Sequence, residues 1–193
     1  GAAQAEKLAR LNIFSLQDVL FHLPYRYQDR TRITPIGATR DGSEALIQGR
    51  VLIADVVIRK RRSLLCKIED GTGQILLRFF FFFAVQQKQF QPGAIVRCYG
   101  EVRITANGRE IAHPEYRVLE TPDLPIEAAL TPLYPATEGI QQTSLRRLSD
   151  QVLAVLGKSQ QVAELLPVDV MHRAQWPSLT EALHFVHRPP PDA

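Results

Sequence analysis

The residues best suited to binding a ligand are aromatic and basic, and they lie together in the middle of the chain. Five consecutive phenylalanines occupy residues 79–83, directly after Arg78. Aromatic planes beside cations bind single-stranded nucleic acid, because a base of any identity can stack on them. The run therefore indicates base stacking. A strand covered on both faces would carry a similar apolar run, and the pattern alone leaves both interpretations open.

Strand alternation divides these rings between two faces. It places Phe79 and Phe81 on one face and Arg78, Phe80 and Phe82 on the other. An unpaired arginine is costly to bury, so the face that carries Arg78 should be the wet one. Phe80 and Phe82 are therefore the predicted stacking residues. A bulge or a strand end near Phe81 would exchange the faces and implicate Phe79 or Phe83 instead.

Basic side chains that could follow a phosphate backbone surround this run. Residues 44–119 contain 12 Lys and Arg against 7 Asp and Glu, whereas residues 120–193 contain 5 against 9. A localised basic region is typical of a protein that binds nucleic acid, although a solvated basic face would have the same composition. The candidate phosphate ligands are Arg59, Lys60, Arg61, Arg62, Arg78, Arg97, Arg103 and Arg109.

Motifs for catalysis are missing from the sequence. It contains no phosphate-binding loop, no nucleophile elbow and no HExxH zinc motif. His184 and His187 could share a helix face, but no third ligand accompanies them. We predict no catalytic residue, no metal site and no cofactor in this chain. Cys66 and Cys98 lie singly in apolar runs, which predicts buried free thiols and fits a reducing cytoplasm.

The elements that must position these residues are five strands and a short helix. Apolar residues alternate from Glu44 onward. The turn signals Asp-Gly-Thr-Gly at 70–73 and Asn-Gly at 107–108 separate neighbouring strands. A short helix is predicted for residues 84–90, between the third and fourth strands, and the fifth strand is predicted to span 109–119. This order is typical of a five-stranded OB-fold barrel, which we place at residues 44–119.

The flanks of this barrel are predicted to be helical, so that the fold class is mainly β with α flanks. Ser15 with Asp18 and Ser178 with Glu181 have the spacing of capping boxes at helix starts. Residues 1–43 are predicted to be a helical lead-in that is truncated at Gly1. Residues 120–193 are predicted to form a proline-rich wrap, helices and a linker. No apolar stretch reaches the length of a membrane-spanning helix.

Several segments, in order along the chain, resemble the N-terminal wedge region of the RecG family, the bacterial ATP-dependent helicases that remodel stalled forks and Holliday junctions. These segments are LQDVLFHLPYRYQDRTR at 16–32, DGTG at 70–73 leading into RFF at 78–80, HPEY at 113–116, LTPLYPATEG at 130–139 and LHFVHRPPP at 183–191. Together they cover nearly the whole chain.

The resemblance implies a function in DNA repair and recombination. A wedge domain of this family sits at the branch point of forked DNA, where its aromatic side chains stack on bases as the duplex splits. An ATP- and Mg²⁺-dependent motor outside this chain would pull the duplex past it. The family's paired aromatics fall on Phe79 and Phe80, so the resemblance and the strand alternation agree only on Phe80. The family has a polar residue after this pair, where this chain has Phe81, and Phe83 is likewise more apolar than the residue expected at its position.

The expected partners follow from the same resemblance. They are forked and four-way-junction DNA, the motor domains of the same protein, and single-strand-binding protein. We expect a monomer in the bacterial cytoplasm, at the nucleoid. The alternative function is an OB-like protein-interaction module, in which exposed Phe80 and Phe82 would contact single-strand-binding protein or the motor.

Overall fold

The computed structural model describes residues 2–58, 62–156 and 162–193. The chain divides into two compact units, Asp29–Glu127 and Gly1–Gln28 together with Ala128–Ala193. No helix of the described ranges is long and apolar enough to cross a membrane. In chain order the elements are α1 (Ala2–Ala9), α2 (Leu16–Phe21), β1 (Arg26–Gln28), a 3₁₀ turn (Ile36–Ala38), β2 (Glu44–Ile58), β3 (Arg62–Glu69), β4 (Gln74–Phe79), α3 (Ala84–Gln89), β5 (Ile95–Thr105), β6 (Gly108–Ala112), β7 (Glu115–Leu119), β8 (Thr131–Leu133), α4 (Gln142–Leu156), α5 (Val168–Ala174) and α6 (Leu179–His187).

The strands of the unit Asp29–Glu127 close into a barrel. The hydrogen-bonded order is β2-β3-β4-β6-β5, and β5 pairs again with β2. Every pair is antiparallel except β4 with β6, which is parallel. This order, with α3 between β4 and β5, confirms the predicted OB-fold barrel.

The predicted fifth strand is divided into two strands. The chain turns at His113, whose φ is 48°, and at Pro114. Beyond this turn β7 pairs antiparallel with the first half of β5, whereas β6 pairs with its last residues. The prediction of one continuous strand over 109–119 was therefore wrong, because a proline and a left-handed residue cannot continue a strand ladder.

The barrel interior is filled by the inward residues of all its strands. Cys66 and Cys98 lie in this core as free thiols, as predicted. Burial raises the pKa of the Cys66 thiol to about 12, so the thiolate does not form near neutral pH. The predicted turn at 70–73 joins β3 to β4, and the Asp70 carboxylate accepts hydrogen bonds from the backbone of Thr72 and Gly73.

Gly49 lies where β2 changes partners. It pairs with Val96 of β5, and the next residue, Arg50, pairs with both Ile95 of β5 and Glu69 of β3. A Cβ atom on Gly49 would lie 2.7 Å from the carbonyl oxygen of Glu69. The sharp bend at this corner of the barrel therefore requires glycine, because the opposing backbone cannot move without opening the sheet.

We predict that Gly49→Ala lowers the free energy of unfolding by about 1–3 kcal/mol, since the added methyl group overpacks the corner. Urea unfolding followed by far-ultraviolet circular dichroism measures this change. Gly71→Ala is a useful comparison: its Cβ would meet nothing within 4 Å, so it tests only the strain of a φ of 84°. An unchanged stability of Gly49→Ala would show that the corner can relax.

A buried polar network connects the helices of the second compact unit, Gly1–Gln28 with Ala128–Ala193, which we call the helical unit. The Nε2 atom of His187 donates to the carbonyl oxygen of Leu20 at 2.8 Å, and its Nδ1 atom lies 2.8 Å from the Tyr134 hydroxyl and 3.0 Å from the Ser149 hydroxyl. These contacts tie α6 to α2 and α4, and they suit a neutral imidazole with its proton on Nε2. Burial lowers the pKa of His187 below its ordinary value of 6.5.

This lowered pKa predicts that acid destabilises the helical unit. The unfolded chain binds a proton at His187 more readily than the folded chain does, so stability falls as the pH drops below about 6.5. Unfolding at pH 5.5 and pH 7.5, followed by the fluorescence of the single tryptophan Trp176 in this unit, measures the change. His187→Gln should reduce the pH dependence, whereas His172→Gln, a change at an exposed histidine of the same unit, should preserve it.

Candidate nucleic-acid interface

Exposed aromatic side chains lie where β4 ends. The ladder between β4 and its neighbours stops at Phe79, and the chain bends at Phe80 and Phe81 before α3 begins. Phe80 is 40% exposed, and Phe81 and Phe83 are 80% and 83% exposed. We call Phe80 and Phe81 the aromatic ledge; the exposed His113 lies beside it.

A buried aromatic layer lies beneath this ledge. Phe79 is 3% exposed, stacks on Phe90 with ring centroids 5.6 Å apart, and meets Tyr116 edge-on at 5.5 Å. Phe90 and Tyr116 are also in contact, with centroids 4.8 Å apart. The core side of the phenylalanine run is thus anchored, and the following residues are held at the barrel surface.

The parallel pairing of β4 with β6 explains the position of His113. Parallel strands end at the same edge of a sheet. The register aligns Arg78 with Ala112, so His113 follows immediately beside Phe79 and Phe80. The imidazole lies 5.4 Å from the Phe80 ring and 6.0 Å from the Phe81 ring, between centroids. Our site prediction did not include His113, although HPEY was among the segments that carried the resemblance.

The alternation predicted for the run holds for its first half and fails in the second. Phe79 faces the core and Phe80 faces outward, as predicted. Phe81 was predicted to face the core and is instead highly exposed, while Phe82 is half-buried against the core. The reason is that β4 ends at Phe79, so the two-residue period no longer applies. The burial of Phe79 leaves no ring face on which a base could stack.

Two of the predicted cations lie beside these rings. The Arg62 guanidinium lies 4.9 Å from the centroid of Phe82, and that of Arg78 lies 5.9 Å from the centroid of Phe80. Arg78 also makes a bidentate ion pair with Glu110 of β6, at 2.7 and 2.8 Å. Its hydrogen bonds to Glu110 raise the pKa of Arg78, so it stays charged, but a phosphate would have to compete with this carboxylate.

The other described cations differ in how accessible their charge is. Arg97 donates to Gln48 and to the carbonyl oxygens of Leu124 and Pro125, so its guanidinium anchors the segment after β7. Arg109 donates to the Thr39 hydroxyl and to the carbonyl oxygen of Gly37 in the 3₁₀ turn.

Arg103 is the more accessible of the cations on β5. Its side chain is 70% exposed, with Glu101 at 3.3 Å. Arg59, Lys60 and Arg61 lie outside the described residues. A phosphate-binding role for each of the predicted cations stays a prediction.

A groove runs across the outer face of β3, β4 and β6, and its lining includes Arg78, whose guanidinium lies near the Phe80 ring. Its volume is about 260 Å³, and its lining includes Leu65, Leu76, Arg78 and Glu110. This is the face on which OB-fold barrels bind single strands. Apolar side chains together with Arg78, Arg109 and Glu110 could accommodate an unpaired nucleotide strand.

Comparisons with known proteins place the whole chain beside one family. Residues 1–156 match the RecG wedge domain family. The chain is 49% identical to the ATP-dependent DNA helicase RecG of Pasteurella multocida over its full length, and 43% identical to that of Escherichia coli K12 over 99% of its length. It spans 27% of the length of each of these relatives.

A solved structure is similar as well. The structure of RecG bound to a three-way DNA junction matches 98% of this chain with a TM-score of 0.78 and 25% identity, and the match covers 26% of that protein. The similarity spans both compact units, so the helical flanks as well as the barrel are shared with that protein.

The ion pair between Arg78 and Glu110 predicts that Glu110→Gln strengthens nucleic-acid binding. The amide keeps a hydrogen-bond acceptor near Arg78 but removes the competing charge. We expect the slope of log K against log salt for a single-stranded oligonucleotide to steepen by about 0.7. The folded state should lose only about 1 kcal/mol or less, since the pair is partly exposed.

Fluorescence anisotropy titrations at several salt concentrations measure this slope. Glu120→Gln changes the net charge equally at an exposed position of the same unit and is the matched control. Identical slopes for the two variants would show that Arg78 does not contact the strand.

Proposed function

We propose, from the premise that this chain belongs to the RecG wedge domain family, that it binds branched DNA where the strands of a duplex separate. The observation that carries the proposal is the aromatic ledge: Phe80 and Phe81 follow the end of β4 and present their rings to solvent. A base that loses its neighbour at a branch point can recover stacking on such a ring. Each such contact is worth roughly 1–3 kcal/mol and requires no particular sequence.

The shape of the site supports a branch point over a uniform duplex. In a duplex every base is already stacked on both sides, so exposed phenylalanine rings gain little from it. Bases at a fork or a junction are unstacked on one side. The structure of RecG bound to a three-way DNA junction, which resembles this chain over nearly its full length, supports the same class of ligand. We therefore propose forked and four-way-junction DNA as the ligands.

The basic residues of the barrel would hold the phosphates. Among the described cations, Arg62 beside Phe82 and Arg103 on β5 have exposed side chains that could reach a DNA backbone. Arg59, Lys60 and Arg61 precede Arg62 in the sequence and remain proposed phosphate ligands. Such contacts carry no sequence information and weaken with salt, which suits a protein that must act at any fork.

The activity of the whole protein is also a proposal, since this chain spans 27% of its relatives' length. We propose that it serves an ATP-dependent helicase acting in DNA repair and recombination. ATP and Mg²⁺ would be bound outside this chain, whose sequence contains no phosphate-binding loop. The barrel would separate strands passively while the motor translocates the duplex. A location in the bacterial cytoplasm at the nucleoid, a monomeric state and contact with single-strand-binding protein remain expectations.

The proposal predicts that Phe81→Ala weakens binding to a fork by about 1–3 kcal/mol, and that Phe80→Ala has an effect in the same range. Binding to a continuous duplex should change little, because its bases offer no free stacking face. Fluorescence anisotropy with a fork, a four-way junction and a duplex of equal length measures all three affinities.

Phe14→Ala is the matched control, because Phe14 is 76% exposed and lies in the other compact unit. Fork affinity that survives Phe80→Ala and Phe81→Ala together, with the fold intact, would contradict stacking on the ledge. Equal affinities of the unchanged chain for all three DNAs would contradict recognition of the branch. Loss of contact with a protein partner in these variants, with unchanged DNA affinity, would favour the protein-interaction module instead.

A further inference from the structure

His113 is held in place by its own backbone. Its N–H group donates to the carbonyl oxygen of Arg78 at 2.8 Å, which extends the contact between β4 and β6 by one residue. Its φ of 48° turns the chain away from β6, and the buried Pro114 follows before β7 begins. A non-glycine residue in this conformation carries strain that the surrounding structure must offset. The side chain therefore leaves the barrel at a fixed point and in a fixed direction.

The imidazole of His113 contacts three consecutive phenylalanines. Its Nε2 atom accepts a hydrogen bond from the backbone N–H of Phe80 at 3.1 Å. Its ring lies edge-on to Phe79 at 6.1 Å, tilted against Phe80 at 5.4 Å and stacked on Phe81 at 6.0 Å, between centroids. Consecutive strand residues alternate faces and cannot normally share one neighbour. His113 meets all three because the strand has ended and the chain bends around the imidazole.

We infer that His113 is the positioning residue of the aromatic ledge, and this inference rests on the proposed function. Its hydrogen bond holds the backbone at Phe80 after the β4 ladder has ended, and its ring supports those of Phe80 and Phe81. Two exposed phenylalanines without such support would sample several rotamers, and a base would have to immobilise them on binding. Holding them in advance removes that entropic cost from the binding step.

A direct contact between His113 and a phosphate fits the geometry less well. The Nε2 atom accepts a hydrogen bond from the Phe80 N–H, so it does not donate to a phosphate in this arrangement, and a phosphate contact would have to be made by the Nδ1 atom. Its ring is instead in contact with the rings of Phe79, Phe80 and Phe81. We therefore expect His113 to act on DNA through Phe80 and Phe81.

The inference is tested with His113→Ala and His113→Gln, each alone and combined with the double change Phe80→Ala and Phe81→Ala. His113→Ala should weaken fork binding about tenfold, which corresponds to the immobilisation of one to two side chains. His113→Gln should recover part of this loss, because its amide oxygen can accept from the Phe80 N–H. In the background without the two phenylalanines, neither change at His113 should weaken binding further.

The salt dependence of fork binding gives the second measurement. A positioning residue leaves the slope of log K against log salt unchanged, whereas the loss of a contact between a cation and a phosphate reduces it by about 0.9. His172→Ala, at an exposed histidine of the other compact unit, is the matched control. Thermal unfolding of each variant ensures that affinities are compared between folded proteins, and the milder His113→Gln keeps the test available if His113→Ala is poorly folded.

Failure of the inference and failure of the proposed function would look different. If the double phenylalanine change weakens fork binding but both His113 variants bind as tightly as the unchanged chain, His113 does not position the ledge. If His113→Ala weakens binding equally in both backgrounds, His113 does not act through the phenylalanines and the inference is overturned; a reduced salt slope would then identify a direct contact between a charged His113 and a phosphate. If the double phenylalanine change has no effect, the ledge itself does not bind DNA.

Discussion

The double pairing of β2 is the constraint on which the rest of the barrel depends. Residues Glu44–Arg50 pair with β5, and residues from Arg50 onward pair with β3. One strand can serve two neighbours only if it bends sharply, and the bend is possible because Gly49 has no side chain to meet the backbone of Glu69. Because the ring is closed, each of the five strands of the barrel is paired on both sides. Closure also places β4 beside β6, and this pair is parallel whereas the other described pairs of the barrel are antiparallel.

The candidate site is a consequence of that parallel pair. Because β4 and β6 run in the same direction, they end at the same side of the barrel, and the residues that follow them become neighbours. His113 thus reaches Phe80 and Phe81, although more than thirty residues separate them in the chain. The buried rings of Phe79 and Phe90 and the half-buried ring of Tyr116 pack together beneath this arrangement. The exposed surface of the Phe80 and Phe81 rings contributes little to folding, so their exposure is better explained by a ligand than by stability.

Fewer cations are available to bind phosphate at this interface than the number of basic residues implies. Arg78, Arg97 and Arg109 are all engaged by acceptors of their own unit, where they connect strands to turns or to the segment after β7. Such cations still add to the positive potential of the barrel, but a phosphate can recruit them only by displacing a partner. A binding site built in this way would gain its selectivity for branched DNA from stacking, and the exposed cations would contribute general attraction that depends on salt.

The sequence alone determined the features that depend on near neighbours. Turn signals at 70–73 and 107–108, both capping boxes, the helix between the third and fourth strands and the burial of both cysteines follow from local chemistry or simple periodicity, and the structure has them. The order of these elements was enough to predict the OB-fold barrel, and the family segments were enough to predict the family. Only the tertiary structure decided which rings are exposed, because alternation holds only while a strand has partners, and the β4 ladder ends at Phe79. It likewise decided that Arg78 faces Glu110 and that His113 contacts Phe80 and Phe81, since these contacts arise from strand pairing between residues distant in sequence.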